Sequence, residues 1–124
     1  MLTPNLDFAR HKRLLTKADY SAVFANPISL KSSYFTMLAR PHSAGARLGV
    51  IVAKRIMKHA VDRNRVRRLI RESFRHHQQA LSGLDIVVLV RCNCADKPSG
   101  VLLSCLRKQW QDLIARCASA SSQG

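Results

Sequence analysis

One basic stretch, residues 54–75 with the sequence KRIMKHAVDRNRVRRLIRESFR, constrains the fold of this chain more than any other. From about Ala60 onward its apolar residues recur with helical spacing and share one face: Val66, Leu69, Ile70 and Phe74. The opposite arc carries polar and basic residues: Asn64, Arg67, Arg68, Arg71 and Arg75. The sequence therefore predicts an amphipathic helix that packs by an aliphatic stripe and exposes a row of arginines. Asp62 lies near its start, where the helix dipole favours a negative charge.

The alternative interpretation of these arginines is a plain solvated face, but they are many and are poorly balanced by acids. Solvated helices usually mix lysine with glutamate for i,i+4 pairing, and only Asp62 and Glu72 are available here. Guanidinium groups match phosphate oxygens bidentately and stack on bases. The whole chain carries a formal net charge of +14 and has a pI near 10.9. The pattern favours a polyanion-binding face, with nucleic acid as the first partner class and an anionic membrane surface as the second.

Other features of the composition narrow the function classes. At 124 residues and 47% apolar content, the chain predicts one globular domain, with an ordered core at about residues 10–118 and flexible termini. It has no apolar run long enough to span a bilayer and no export signal at its start. The four cysteines therefore predict free thiols, because disulfides belong to oxidising compartments. The seven acidic residues are scattered, so we expect no catalytic residue and no metal site.

The first half of the chain predicts one short helix and two or three strands. A capping box at Thr16 begins the helix, and Asn26-Pro27 ends it. Residues 33–40 alternate as a strand, and the apolar run at 48–53 is typical of a central strand covered on both faces. We expect these two strands to pair as a hairpin, and a third short strand near residues 28–31 to extend the edge.

The second half predicts two helices around one strand. The basic helix continues to about Leu81, where Ser82-Gly83 ends it. Residues 85–90 form another buried strand, and a last helix runs from Ser99 to about Ser119, before a polar tail that frays. The element order α-β-β-β-α-β-α predicts an α+β fold: a single-domain α/β sandwich with one mixed sheet and about three helices.

Tyr20 and Phe24 have two interpretations at this point. Their spacing within the first helix favours two core anchors. The functional alternative is an aromatic edge that lines a groove where bases stack.

Two motifs give the chain a family resemblance. The sequence RLGVIVAKR at residues 47–55 is followed by AVDRNRVRRLIRESF at residues 60–74. Together they resemble the protein subunit of bacterial ribonuclease P, whose signature is the R-N-R core found here at residues 63–65. The resemblance extends over residues 10–117. It implies a three-layer α/β sandwich with a left-handed β-α-β crossover, against the general right-handed rule.

The resemblance also implies a function and its partners. The ribonuclease P holoenzyme is an endoribonuclease that removes the 5′ leader of precursor tRNA. Its large RNA subunit performs the hydrolysis with Mg²⁺ held mainly by that RNA. The protein would then bind ribonuclease P RNA and precursor tRNA in the cytoplasm, with no membrane or DNA partner expected. It would not be catalytic alone, which agrees with its scattered carboxylates.

Residue roles carry over from the family by position. The implied contacts to the catalytic RNA are Lys54, Arg55, Lys58, Arg63, Asn64, Arg65, Arg67, Arg68 and Arg71. The implied cleft for the single-stranded leader contains Tyr20, Phe24, Phe35, Leu38, Arg40 and Arg91. For Tyr20 and Phe24 the resemblance thus favours base stacking over a purely structural role. Leu38 occupies a position that is usually aromatic in the family, and the neighbouring Tyr34 and Phe35 are its possible substitutes.

Three other classes of protein remain open from the sequence. A structural RNA-binding protein, for example a ribosomal one, would bind RNA without accelerating cleavage. A DNA-binding regulator would prefer duplex DNA, although the basic helix follows a strand rather than the short turn of a helix-turn-helix. A self-sufficient nuclease would cleave RNA without an RNA subunit, and the scattered acids disfavour it.

Overall fold

The computed structural model describes residues 17–25, 27–41 and 46–123 of the chain. Its helices and strands are α1 (Lys17–Ala25), β1 (Ile28–Lys31), β2 (Phe35–Pro41), β3 (Arg47–Ile51), α2 (Ala60–Arg75), β4 (Leu84–Val90) and α3 (Ser99–Gln123). The predicted order of elements and the α+β class with a mixed sheet are confirmed. Residues 10–16 of the predicted ordered core lie outside the described residues, as does Thr16 of the predicted capping box.

The four strands form one sheet in the order β1-β2-β4-β3. β4 pairs antiparallel with β2 and parallel with β3. The predicted hairpin of β2 with β3 is therefore wrong, because β4 lies between them. β2 pairs instead with β1. β3 and β4 are parallel and need a crossover, which α2 provides; its left-handed sense stays an implication of the family resemblance.

The main core lies between one face of the sheet and the pair α2 and α3. Strand alternation sends every second residue of β2 and β4 to this face, and these side chains are buried: Phe35, Met37, Ala39, Leu84, Ile86, Val88 and Val90. From α2, the predicted stripe is confirmed, with Val66, Ile70 and Phe74 fully buried. From α3, the buried side chains are Leu102, Leu106, Trp110 and Leu113. The arginine row of α2 is thus held on a helix fixed by its opposite face.

α1 covers part of the other face of the sheet. There Val23 packs with Val87, beside the partly buried Tyr20, Leu38 and Leu89. The helix is short because Pro27 follows it, and a proline disfavours helical backbone in the residue before it. One layer of helix therefore lies on each side of the sheet, and the residues that the structure describes cover the face under α1 only in part.

Two helix ends differ from the prediction. α2 ends at Arg75, and residues 76–83 form turns that finish at Gly83, whose φ of 88° is readily adopted only by glycine. The predicted stop signal at Ser82-Gly83 therefore marks the end of the turns rather than of the helix. α3 continues to Gln123, beyond the predicted end near Ser119. In the described part of the chain, no helix is long and apolar enough to cross a membrane.

Candidate RNA-binding surface and cleft

The turn between β3 and α2 presents three basic side chains. The buried Met57 anchors this turn, and the backbone amides of Ile56 and Met57 both donate to the carbonyl of Ala53 at 3.1 Å. Around that anchor, the flanking basic residues point to solvent: Lys54, Arg55 and Lys58. A fixed turn with three exposed cations is suited to contact with phosphates.

The outer face of α2 continues this charge. Asn64 and Arg68 are exposed, and Arg67 and Arg71 are half-buried. We call the set Lys54, Arg55, Lys58, Asn64, Arg67, Arg68 and Arg71 the basic surface. The predicted arc also contained Arg75, but its guanidinium is paired with Glu72. Hydrogen bonds from Arg75 and then His76 lower the pKa of the Glu72 carboxyl, so Glu72 is ionised and offsets this positive charge.

The two arginines of the R-N-R signature bind the protein's own backbone. Nη1 of Arg63 donates to the carbonyls of Met57 and Lys58, at 2.9 and 2.7 Å. Arg65 donates from Nη1 to the carbonyl of Ala95 at 3.1 Å and from Nη2 to the carbonyl of Lys97 at 2.7 Å. They therefore brace the segments on either side of α2, the turn after β3 and the loop before α3. Helical periodicity places these two arginines on the two sides of the apolar stripe, but it does not reveal their partners.

This difference in contacts gives opposite expectations for two arginines of the same helix. Arg68→Ala removes an exposed charge, so the slope of log affinity against log salt for ribonuclease P RNA should fall by about one. Arg65→Ala should leave that slope closer to the original and lower the free energy of unfolding by about 1–2 kcal/mol, since bonds to the 95–99 segment are lost. RNA titrations over a salt series and urea unfolding measure both. A full unit of slope lost in Arg65→Ala with unchanged stability would show that Arg65 is an RNA ligand instead of a brace.

The partly covered face of the sheet forms a cleft beside α1. Its floor contains Leu38, Val87 and Gly49, which are register partners across β2, β4 and β3. A β-carbon at Gly49 would lie 2.7 Å from Cε1 of Tyr20, so only glycine lets the Tyr20 ring rest on the strand. Tyr20 is thereby fixed at one side of the cleft, and Leu38 lies on the same face of the sheet.

The other aromatic positions are divided between the cleft and the core. Phe24 is 43% exposed at the end of α1, a large apolar ring facing solvent. Phe35 is fully buried in the main core on the opposite face of the sheet, so its predicted place in the leader cleft is wrong. Tyr34 packs edge-on against Phe35, with ring centroids 6.2 Å apart, and joins the same core. Neither ring substitutes for an aromatic at Leu38.

Two arginines lie on the same face of the sheet as the cleft. Arg40 lies on β2, and Arg91 follows β4 directly. The sequence reasoning missed Asp85 and Arg47, which lie beside Arg40 on the neighbouring strands. It also missed the exposed Lys31, whose register partner Thr36 bonds to Arg91. An acid that opens the buried run DIVVLV was a signal for a buried ion pair, since a lone charge is costly there.

The described carboxylates do not form a metal site. Asp85 is committed to Arg47 and Glu72 to Arg75. Within residues 17–25, 27–41 and 46–123, no three His, Cys, Asp or Glu side chains gather as possible metal ligands. The four cysteines are free thiols, as predicted. Burial, and then the neighbouring Cys92, raise the pKa of the Cys94 thiol, so Cys94 is protonated and a poor nucleophile.

An arginine-rich helix on one face of the sheet and a partly aromatic cleft on the other are the features of an RNA-binding protein with an α/β sandwich fold. The family model described as Ribonuclease P matches residues 8–114. The ribonuclease P protein component of Methylococcus capsulatus is 41% identical over 116 residues, or 93% of this chain and 91% of that relative. The chain belongs to the ribonuclease P protein family, the protein subunit of the endoribonuclease that processes tRNA precursors. Its partner is therefore ribonuclease P RNA.

Solved structures agree with this assignment. The ribonuclease P protein of Thermotoga maritima matches with a TM-score of 0.67 and 30% identity, over 84% of this chain and 96% of that one. The Staphylococcus aureus protein matches with a TM-score of 0.68 over 86% of this chain and 94% of that one. At 24% identity, this second likeness supports the fold alone.

Proposed function

We propose that this protein binds ribonuclease P RNA through the basic surface and holds the 5′ leader of precursor tRNA in the cleft. The exposed cations of the basic surface supply contacts to phosphates. The proposal for the leader rests above all on one observation: the exposed Phe24 and the fixed Tyr20 stand beside a cleft flanked by Arg40 and Arg91. Aromatic rings next to cations are how proteins hold single-stranded RNA.

In this proposal the RNA subunit performs the hydrolysis and holds the Mg²⁺. The described side chains of this chain do not fit a Mg²⁺ site, because their carboxylates are separated and two of them are paired with arginines. The protein's own part is to position the substrate and to neutralise phosphates that would otherwise repel each other. The proposed location is the cytoplasm, where tRNA precursors and their processing RNA would meet.

Reconstitution tests this division of labour. Cleavage of a 5′-extended precursor tRNA is measured at low Mg²⁺ with ribonuclease P RNA alone, with protein alone and with both. Only the mixture should cut efficiently at the mature 5′ end. Tight RNA binding without faster cleavage would favour a purely structural RNA-binding role, and cleavage by protein alone would favour a self-sufficient nuclease.

The leader contact has a separate expected result. Phe24→Ala should weaken holoenzyme binding of precursor tRNA by about 1–3 kcal/mol, because a stacking platform for a leader base is lost. Binding of mature tRNA, which has no leader, should not change. Since Phe24 is 43% exposed, its removal should barely alter unfolding by urea. Equal losses for the two RNAs would place Phe24 outside the leader site.

A further inference from the structure

Three charged side chains form a row across the floor of the cleft. Asp85 of β4 is the register partner of Arg40 on β2 and of Arg47 on β3. Arg47 donates from Nε to Oδ1 and from Nη2 to Oδ2 of Asp85, both at 2.8 Å. Nη2 of Arg40 lies 3.6 Å from Oδ2 of the same carboxylate. Asp85 itself is fully buried, so this row is a built feature of the cleft floor.

The two arginines of this row are held very differently. Arg47 is locked by a bidentate bond, and its side chain is 18% exposed. Arg40 has the single 3.6 Å contact, and its buried Nε has no hydrogen-bond partner. The Arg40 side chain is also 33% exposed. A ligand that binds Arg40 therefore competes only with its weak contact to Asp85. The single negative charge of Asp85 offsets one of the two positive charges of Arg40 and Arg47.

A second cation stands at the other end of the cleft. Nη1 of Arg91 donates to Oγ1 of Thr36 at 2.9 Å, which holds the guanidinium against β2. The hydroxyl is neutral, so the full charge of Arg91 remains for a ligand. Arg91 is exposed, and a guanidinium has the fork geometry that suits phosphate.

Arg40 and Thr36, the residue that holds Arg91, are separated by a defined distance along β2. Thr36 and Arg40 are four residues apart on β2 and face the same side, which corresponds to about 13 Å at roughly 3.3 Å per residue. That span is too long for one phosphate to bridge. Between the two ends lies the apolar floor of Leu38 and Val87, with the Tyr20 ring at its side. Val87 is fully buried under α1, so the partly exposed Leu38 is the apolar surface that remains for a base.

We propose that Arg40 and Arg91 bind two phosphates of one single strand that are two nucleotide steps apart, with one of the two intervening bases over Leu38. Asp85 is then a positioning residue that fixes Arg47 and leaves Arg40 available. This inference rests on the proposed leader site and adds a register to it. These two contacts recognise the spacing of phosphates along the leader and do not depend on its sequence, because phosphate contacts carry no base information.

Neutral linkages in the leader test this register directly. Precursor tRNAs carrying a single methylphosphonate at successive leader positions are titrated with the holoenzyme, under conditions where cleavage is too slow to consume them. With the original protein, two positions separated by one insensitive linkage should each bind about tenfold more weakly. In Arg40→Gln one of these two positions should lose its sensitivity, and in Arg91→Gln the other. Arg107→Gln, an equal loss of charge on the exposed side of α3, should leave both sensitivities in place.

The outcomes separate this inference from the proposed leader site. Sensitive positions that are adjacent, or unchanged sensitivities in Arg40→Gln, would overturn the two-phosphate register while leader binding still stands. If precursor and mature tRNA bind equally and no linkage is sensitive, the leader site itself is wrong.

Discussion

Trp110→Ala is expected to lower the free energy of unfolding by about 4 kcal/mol, the largest effect of any single change considered for this protein. Trp110 lies on α3 and is fully buried against α2 and the sheet. Its ring meets Phe74 edge-on, with centroids 5.7 Å apart, and its Nε1 donates to Oγ of Ser73 at 2.8 Å. The substitution leaves a cavity and removes the partner of a buried hydroxyl. Urea unfolding measures the loss, which is a large share of a typical domain's stability.

Two variants control this expectation. Trp110→Phe keeps a ring in the core and loses the bond to Ser73, so it should cost about 1–2 kcal/mol. Val101→Ala truncates a 44%-exposed side chain of the same helix and should change stability by less than about 0.5 kcal/mol. If Trp110→Ala cost no more than Val101→Ala, the packing of α3 against α2 described here would be wrong. Because α2 carries the basic surface, RNA affinity should fall together with stability.

Asp85→Ala is expected to cost about 3 kcal/mol of stability, because it leaves two arginines facing each other without their shared carboxylate. Arg47 loses both of its 2.8 Å bonds and has little access to water, with 18% of its side chain exposed. A lost exposed ion pair would cost far less. Asp112→Ala, which removes an exposed carboxylate from α3, is the matched control and should be nearly neutral.

The double variant Arg47→Met/Asp85→Leu distinguishes the cause of this loss. Replacing both members of a buried pair with apolar side chains removes the unpaired charge, so most of the stability should return. Urea unfolding of the two single variants and the double variant gives the coupling energy between the residues. Additive losses would mean that the two side chains act independently and that the bidentate bond contributes little.

The sequence predicted α2 well because its signal is local. An apolar stripe at helical spacing opposite a run of arginines fits few structures other than an amphipathic helix. All three residues of that stripe are buried: Val66, Ile70 and Phe74. The same holds for β4, whose apolar run marks it as buried. The apolar run of β3 also predicted a central strand, and that prediction is wrong, because β3 lies at an edge of the described sheet. Fold class and element order followed from these local patterns.

Strand pairing and the contacts of individual side chains could not be predicted from these local patterns. The strands β2 and β3 are neighbours in sequence, yet β4 is inserted between them, and strand pairing depends on contacts distant along the chain. Phe35 was assigned to the cleft by proximity to Leu38, although strand alternation sends it to the opposite face. Arg65 belonged to the signature, but only the fold places Ala95 and Lys97 within its reach.

The central place of β4 has a consequence for the order in which the protein can be made. β3 leaves the ribosome with no strand beside it, since its only described neighbour is still unsynthesised. At about 5–20 residues per second, roughly 2–8 s pass between the appearance of Ile51 and that of Val90. In the last part of that interval, once Arg75 has emerged, the arginine-rich helix has neither α3 nor the completed sheet to pack on. The nascent chain therefore exposes its positive charge before it has folded. Selective RNA recognition begins only when β4 has joined the sheet.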